Sequence, residues 1–227
     1  MEQHIAIAID GPAAAGKSTV AKKVASVLNF TYVDTGAMYR AVTYAVIKKN
    51  LDPKNEAQSV SVLQGLSIDL LPDGTVLCNG EDVTKVIREP LVSGNVSYIA
   101  AMKPVRLALI DMQRELAESK SVVMDGRDIG SYVLPNAQVK IFQIASVETR
   151  AVRRYEENLA KGISTTLKEV EENLRERDKI DSGREFDPLK PAPDSVLLDT
   201  SYLSVNEAVD AVLRIVHDKT GLEIPCH

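Results

Sequence analysis

The sequence predicts an α/β fold, a parallel sheet of five strands with helices on both faces, interrupted by a small β-containing insertion. Three observations predict it. A short apolar run, a glycine-bearing loop and an amphipathic stretch follow one another near the start; four more strand-like runs alternate with helix-periodic segments; and from about Gln64 to Ile87 the texture changes to short alternating runs separated by turns. The 227 residues suffice for one sizeable domain with insertions or for two small ones.

The elements follow in order. Ile5-Ala6-Ile7-Ala8-Ile9 is a short β-branched run that reads as a buried strand. Ser18 to Leu28 carries apolar residues at helical spacing. Thr31-Tyr32-Val33 is a second strand ending in Asp34-Thr35-Gly36, and a helix runs from about Ala37 to Lys48, closed by Asn50 and Asp52-Pro53. In the insertion, Leu66 to Leu71 alternates, Pro72-Asp73-Gly74 turns, Thr75 to Asn79 returns, and Asn79-Gly80 turns again. Pro104 opens a long helix to about Ser119, a position where proline is tolerated. Ser121 to Asp125 and Val139 to Ile144 are strands; helices follow from about Val147 to Lys161 and Thr166 to Lys179, the latter opened by a Thr166-x-x-Glu169 capping box. After an irregular stretch from Phe186 to Asp194, Ser195 to Asp199 is the last strand, and Ser204-x-x-Glu207 caps a closing helix with Val205, Ala208, Val209, Val212, Leu213 and Val216 on its apolar stripe.

Composition narrows the function. Hydrophobic residues make up 44% and charged residues 26%, as in a soluble globular protein. No apolar run approaches the ~18 residues of a membrane span, and the chain enters a strand almost at once, so neither a membrane segment nor a secretory leader is expected. Two cysteines, Cys78 and Cys226, make neither a disulfide framework nor a zinc site; a cytoplasmic setting is expected. The net charge of −5 argues against a nucleic-acid surface, and 4% aromatics with no Trp against a base-stacking platform.

The chemistry starts at Gly11-Pro12-Ala13-Ala14-Ala15-Gly16-Lys17-Ser18, which fits G-x-x-x-x-G-K-[ST] between a strand and a helix. Backbone N–H groups of such a loop point inward beside the positive end of a helix and hold phosphate oxygens. Lys17 then reaches the β- and γ-phosphates and the Ser18 hydroxyl ligates magnesium. Ligands of an open α/β sheet bind beyond the carboxyl ends of its strands, where Asp34-Thr35-Gly36 and Asp125-Gly126-Arg127-Asp128 also fall. Asp125 ends an apolar strand and either orients hydrated magnesium or caps a helix. Arg127 and Asp128 either form a buried ion pair or meet a phosphate and a base or sugar edge. Arg150, Arg153 and Arg154 share one helix face; they pair with Glu156 and Glu157 in solvent, or clamp a transferring phosphoryl group. Arg177, Asp181 and Arg184 recur at i, i+4, i+7 and face either solvent or one pocket. His4, His217 and His227 lie near the termini, and no Ser-His-Asp or Cys-His nucleophilic set occurs. No Asn-Lys dipeptide exists, which removes the guanine-reading signature of a phosphate-loop GTPase.

Together these stretches resemble the bacterial cytidylate kinases, a branch of the phosphate-loop nucleoside-monophosphate kinases. The resemblance rests on Ile9 to Pro12 with Gly16 to Thr19, Asp34 to Arg40, Gly94 to Ser97 with Pro104 to Arg106, Asp125 to Gly130, Arg175 to Asp178 with Asp181, Ser182 and Arg184, Pro188-Leu189, and Leu198 to Thr200. It implies the nucleoside-monophosphate kinase fold, with core segments 1–62, 99–149 and 185–227, a monophosphate-binding insertion at 63–98 and a helical lid at 150–184. It implies transfer of the γ-phosphoryl group of ATP to CMP or dCMP, with magnesium. Gly11 through Thr19, with Arg153 and Arg154 of the lid, correspond to the ATP site; Thr35, Arg40, Ser97, Arg106, Arg127, Asp128, Arg177, Asp181 and Arg184 correspond to the acceptor site. Lys17, Arg127, Arg153, Arg154 and Arg177 are the implied catalytic groups, and Ser18, with Asp125 through water, the implied magnesium site. The implied partners are small nucleotides of pyrimidine nucleotide metabolism; no nucleic-acid polymer and no membrane are expected, and a monomer is expected because no strong hydrophobic interface patch suggests itself. Alanines at 13 to 15 and Ser131 are small departures from the family pattern.

Overall fold

A computed structural model describes residues 4–224. Cys226 and His227 lie outside the described residues. The chain divides into two compact units, one comprising Met1–Tyr32 and Lys120–His227, the other Val33–Ser119.

The first unit is built on the expected parallel sheet. The sheet's strands are β1 (Ala6–Asp10), β2 (Thr31–Asp34), of which the first unit holds Thr31 and Tyr32, β6 (Val122–Gly126), β7 (Val139–Ile144) and β8 (Val196–Asp199), in the order β2-β6-β1-β7-β8. β1 sits in the middle, with Ile9 opposite Asp125 on one side and Ile141 on the other. A central strand between two parallel neighbours is buried on both faces, which is why β1 and β6 read as unbroken apolar runs. Helices α1 (Lys17–Leu28) and α8 (Val205–Thr220) supply Val20, Val24, Val209, Val212 and Val216 to a core shared with Ile7, Ile9, Val123 and Ile141. Helices α6 (Val147–Ala160) and α7 (Leu167–Ser182) pack beside the loop after β1, where Ala13 meets Ala151, Val170 and Leu174. The capping boxes expected at Thr166 and Ser204 both form. Asp187 and the stretch around it carry no strand or α-helix, as expected.

The second unit holds α2 (Thr35–Lys48), α3 (Glu56–Ser61), α4 (Pro90–Ala101), α5 (Lys103–Ser119) and an antiparallel sheet of β3 (Ile68–Leu70), β4 (Val76–Cys78) and β5 (Glu81–Asp82). The alternation and turn residues thus gave the small sheet correctly. Its core joins Met38, Val42, Val46, Val76, Val83, Ile87, Ile99, Val105 and Leu109. α2 starts at Thr35 rather than Ala37, because the Asp34 carboxylate accepts the Ala37 N–H at 2.8 Å and caps it. α3 and α4 were not expected. Gly94, Asn95 and three valines or isoleucines weaken the helical signal of α4, although Pro90 at its first position and Asn55 capping α3 are legible starts. Among the described residues no helix is long and apolar enough to cross a membrane.

Candidate active site

The loop between β1 and α1 is shaped by backbone constraints. Gly11 has φ +145°, and a Cβ there would lie 1.9 Å from the Gln143 carbonyl oxygen of β7. Only glycine permits that approach. Gly11→Ala is expected to cost more than the ~1–3 kcal/mol of a strained backbone residue, since overlap is added; a thermal melt with an ATP titration checks it. Ala14 (φ +59°) and Gly16 (φ +89°) also lie in the left-handed region, so the loop curls before α1 begins at Lys17.

That helix start suits an anion. Five other α-helices receive a side-chain cap, from Asp34, Asn55, Ser146, Thr166 and Ser204. The α1 start has no such cap and no acidic residue in its first turn, so its free N–H groups and dipole stay available to phosphate. Carbonyls of the loop are tied down by side chains. Lys17 Nζ donates to Pro12 O at 2.7 Å, and Ala15 O accepts from Gln143 Nε2 at 2.7 Å, Arg153 Nη1 at 3.3 Å and Thr200 Oγ1 at 3.3 Å. Arg153 also donates to Thr200 O at 2.7 Å. Gln143 and Thr200 were missed by the sequence reading; a polar residue inside the apolar β7 run was the signal at Gln143.

Ser18 Oγ donates to Asp125 Oδ2 at 2.8 Å, and Tyr32 OH donates to Asp125 Oδ1 at 2.7 Å. Asp125 lies within β6 and caps no helix, which settles one alternative left open by the sequence. A hydroxyl and a carboxylate side by side at the helix start are hard oxygen donors of the kind magnesium takes, alongside water and phosphate oxygens. Among the described residues no group of three or more His, Cys, Asp or Glu forms a metal cage, and an ion carried largely by phosphates requires none.

Asp10, at the end of β1, was not read as a site residue. Its two carboxylate oxygens accept the Ile129 and Gly130 N–H groups, each at 2.8 Å, anchoring a one-turn π-helix at Ile129–Val133 beside Arg127 and Asp128. Burial pushes its pKa up to about 7, opposed by those two N–H groups and by Lys17, and aided by the Asp128 charge. Against 3.8 for a free aspartate, the folded protein holds more protons than the unfolded chain between those values. The Asp10 contribution to stability therefore falls as pH rises through that window, by up to ~1.4 kcal/mol per pH unit. Chemical denaturation across about pH 4 to 7 is expected to show this slope in the wild type and its loss in Asp10→Asn.

The arginines separate into distinct roles. The half-buried ion pair that Arg127 makes is with Asp181, its Nε donating to Oδ2 at 2.8 Å. Asp181, 2% exposed, also binds the buried Arg184. Arg184 follows the end of α7 rather than continuing it. Burial opposes the Asp181 charge, but Arg127 and Arg184, together with Arg177, hold its pKa below the ordinary value. Arg127, Arg177, Asp181 and Arg184 are thus brought together. The shared face expected of Arg150, Arg153 and Arg154 splits. Arg150 is buried, Arg153 reaches the loop, and Arg154 pairs with Glu157 at 3.3 Å as in the surface-pairing reading.

The second unit holds its own polar set. Asp34 pairs with Arg88 at 3.0 Å, and the charges of Arg40 and Arg88 keep its carboxyl below the usual range despite burial. The Arg40 guanidinium lies over Gly36, where a Cβ would stand 3.0 Å from Nη1. Thr35 and Ser97 are buried, and the fully buried Arg106 donates to Ala100 O at 3.1 Å with its guanidinium over the Tyr39 ring. Arg88 was not singled out from the sequence.

The family model described as cytidylate kinase matches residues 7–218. The cytidylate kinase of Geobacillus kaustophilus is 51% identical over 224 residues, covering 97% of this chain and 100% of that protein. That of Anoxybacillus flavithermus is 50% identical over 222 residues, covering 96% and 99%. A solved structure of an uncharacterized protein from Eubacterium ventriosum shares the fold with a TM-score of 0.55 at 16% identity, over 95% of this chain and 99% of that one.

Proposed function

The chain belongs to the cytidylate kinase family, and from that premise we propose how its residues divide the work of moving the γ-phosphoryl group of ATP to CMP or dCMP. The reaction gives CDP or dCDP and ADP. The match over residues 7–218 carries the reading; the uncapped start of α1 with its curled loop supports it.

Gly11 to Thr19 cradle the ATP phosphates, with Lys17 on the β- and γ-oxygens and Arg153 and Arg154 approaching from α6. Magnesium, when bound with ATP, would supply positive charge that offsets the phosphates. Ser18 would hold it, with Asp125 through water, the Asp125 carboxylate being fixed by the Tyr32 hydrogen bond. In the acceptor set, the arginines among Arg40, Arg106, Arg127, Arg177 and Arg184 take the α-phosphate and base edge. Asp128 and Ser97 read the cytosine, Asp181 with Arg177 holds the sugar hydroxyls, and Thr35 completes the set. No general base is required, because the acceptor phosphate has a second pKa of roughly 6 and is already anionic at neutral pH. Catalysis is then alignment of two polyanions, neutralisation of moving charge and exclusion of water.

The segment 63–98 serves as the monophosphate-binding insertion and 150–184 as the lid. The setting is a cytoplasmic, monomeric enzyme of pyrimidine nucleotide metabolism. An ADP-release assay over CMP, dCMP, UMP and AMP tests the base assignment: turnover concentrated on CMP and dCMP is expected, and preference for AMP would overturn it.

A further inference from the structure

Arg150 is 3% exposed and spends its guanidinium on three partners within the first unit. Nε donates to Ala145 O at 3.0 Å, Nη1 to Ala13 O at 3.1 Å, and both terminal nitrogens fork onto Asp178, Nη1 to Oδ1 at 3.1 Å and Nη2 to Oδ2 at 2.6 Å. Ala13 belongs to the phosphate loop. Asp178 lies on α7, next to Arg177 and one turn before Asp181, which in turn holds Arg127 and Arg184. We infer that Arg150 is a positioning residue that couples the phosphate loop to the acceptor-binding turn of α7, so that filling one site raises affinity at the other.

The physical ground is the shared group. A planar guanidinium fixed by four hydrogen bonds cannot follow Ala13 without shifting the carboxylate it clamps. A lysine in its place keeps the charge but offers no fork spanning both partners. Packing loss alone would weaken both nucleotides without changing their effect on each other, whereas loss of a coupling element abolishes the mutual effect.

The inference rests on the proposed assignment of ATP to the loop and CMP to the Arg177 and Asp181 cluster. Calorimetric titration with the magnesium salt of a β,γ-imido ATP analogue, with and without CMP, gives the coupling ratio, and reverse titration must return the same value. The wild type is expected to show about fivefold or more. Arg150→Lys and Asp178→Asn, each checked by thermal melt, are expected to bring the ratio towards unity, and the double variant to go no further. Asp178 is a quarter exposed, so Asp178→Asn carries the test should Arg150→Lys fail to fold. A wild-type ratio of unity, or an unchanged ratio in folded Asp178→Asn, overturns the coupling role while leaving phosphoryl transfer to CMP intact. Failure of CMP to bind the wild type overturns the site assignment, and the coupling with it.

Discussion

Lys17→Met is expected to lower kcat by about 10²–10³ at saturating ATP and CMP, while the thermal midpoint holds or rises. The two halves of this result have different causes. Lys17 is buried at the start of α1 with its ammonium on Pro12 O. Burial, and then the Arg127 charge, hold its pKa well below the lysine range, against the pull of Asp125, Asp10 and Asp181. A buried ammonium costs desolvation, so an unbranched apolar chain in its place relieves the folded protein. In the proposed reaction the same ammonium would meet charge building on the transferred group, where a thioether offers nothing. Steady-state kinetics with a parallel melt separates the two. Unchanged turnover in a folded variant would remove Lys17 from the chemistry.

Asp181→Ala carries the second large effect, on acceptor use and on the fold together. Its carboxylate binds Arg127 and Arg184 directly and lies in the field of Arg177. Deleting one partner of a buried charge cluster costs about 3–5 kcal/mol, because the guanidiniums left behind lose their counter-charge. In the active site the expected signature is a raised KM for CMP with an altered CMP-to-dCMP ratio, since Asp181 is assigned to the sugar hydroxyls, and little change in ATP affinity. Arg127→Ala shares the selective damage to CMP use, at about 10²–10³ in turnover. A loss of ATP affinity with an unchanged KM for CMP in either variant would contradict the assignment.

Much of the architecture was legible because each sheet strand announced itself. β1, β6 and β7 are apolar runs of the kind a doubly covered strand requires, and the loop at Gly11 to Ser18 sits between a strand and a helix. The antiparallel sheet was legible from alternation and from Pro72-Asp73-Gly74. α4 was not, since β-branched residues, Gly94 and Asn95 dilute a helix whose stability comes from packing Val96, Ile99 and Ala100 into the second unit's core.

The candidate site was legible in residue type and less so in pairing. Asp181 and Arg184, three residues apart, were within reach of one helical face, whereas Arg127 lies 54 residues before Asp181, so that pairing emerges only from the fold. Arg150 looked equivalent to Arg153 and Arg154 by helical spacing, yet the three point to a buried fork, a loop carbonyl and a surface glutamate. Asp10 and Gln143 carried a weaker signal, a polar side chain in or beside an apolar strand, which becomes meaningful once the neighbouring backbone is in place.

The central claim concerns the fate of one phosphoryl group. With ATP labelled at the γ-phosphorus, magnesium and CMP, the label is predicted to appear in the β-phosphate of CDP, at a rate that falls sharply in Lys17→Met. Label recovered only as inorganic phosphate, with CMP unchanged, would contradict it.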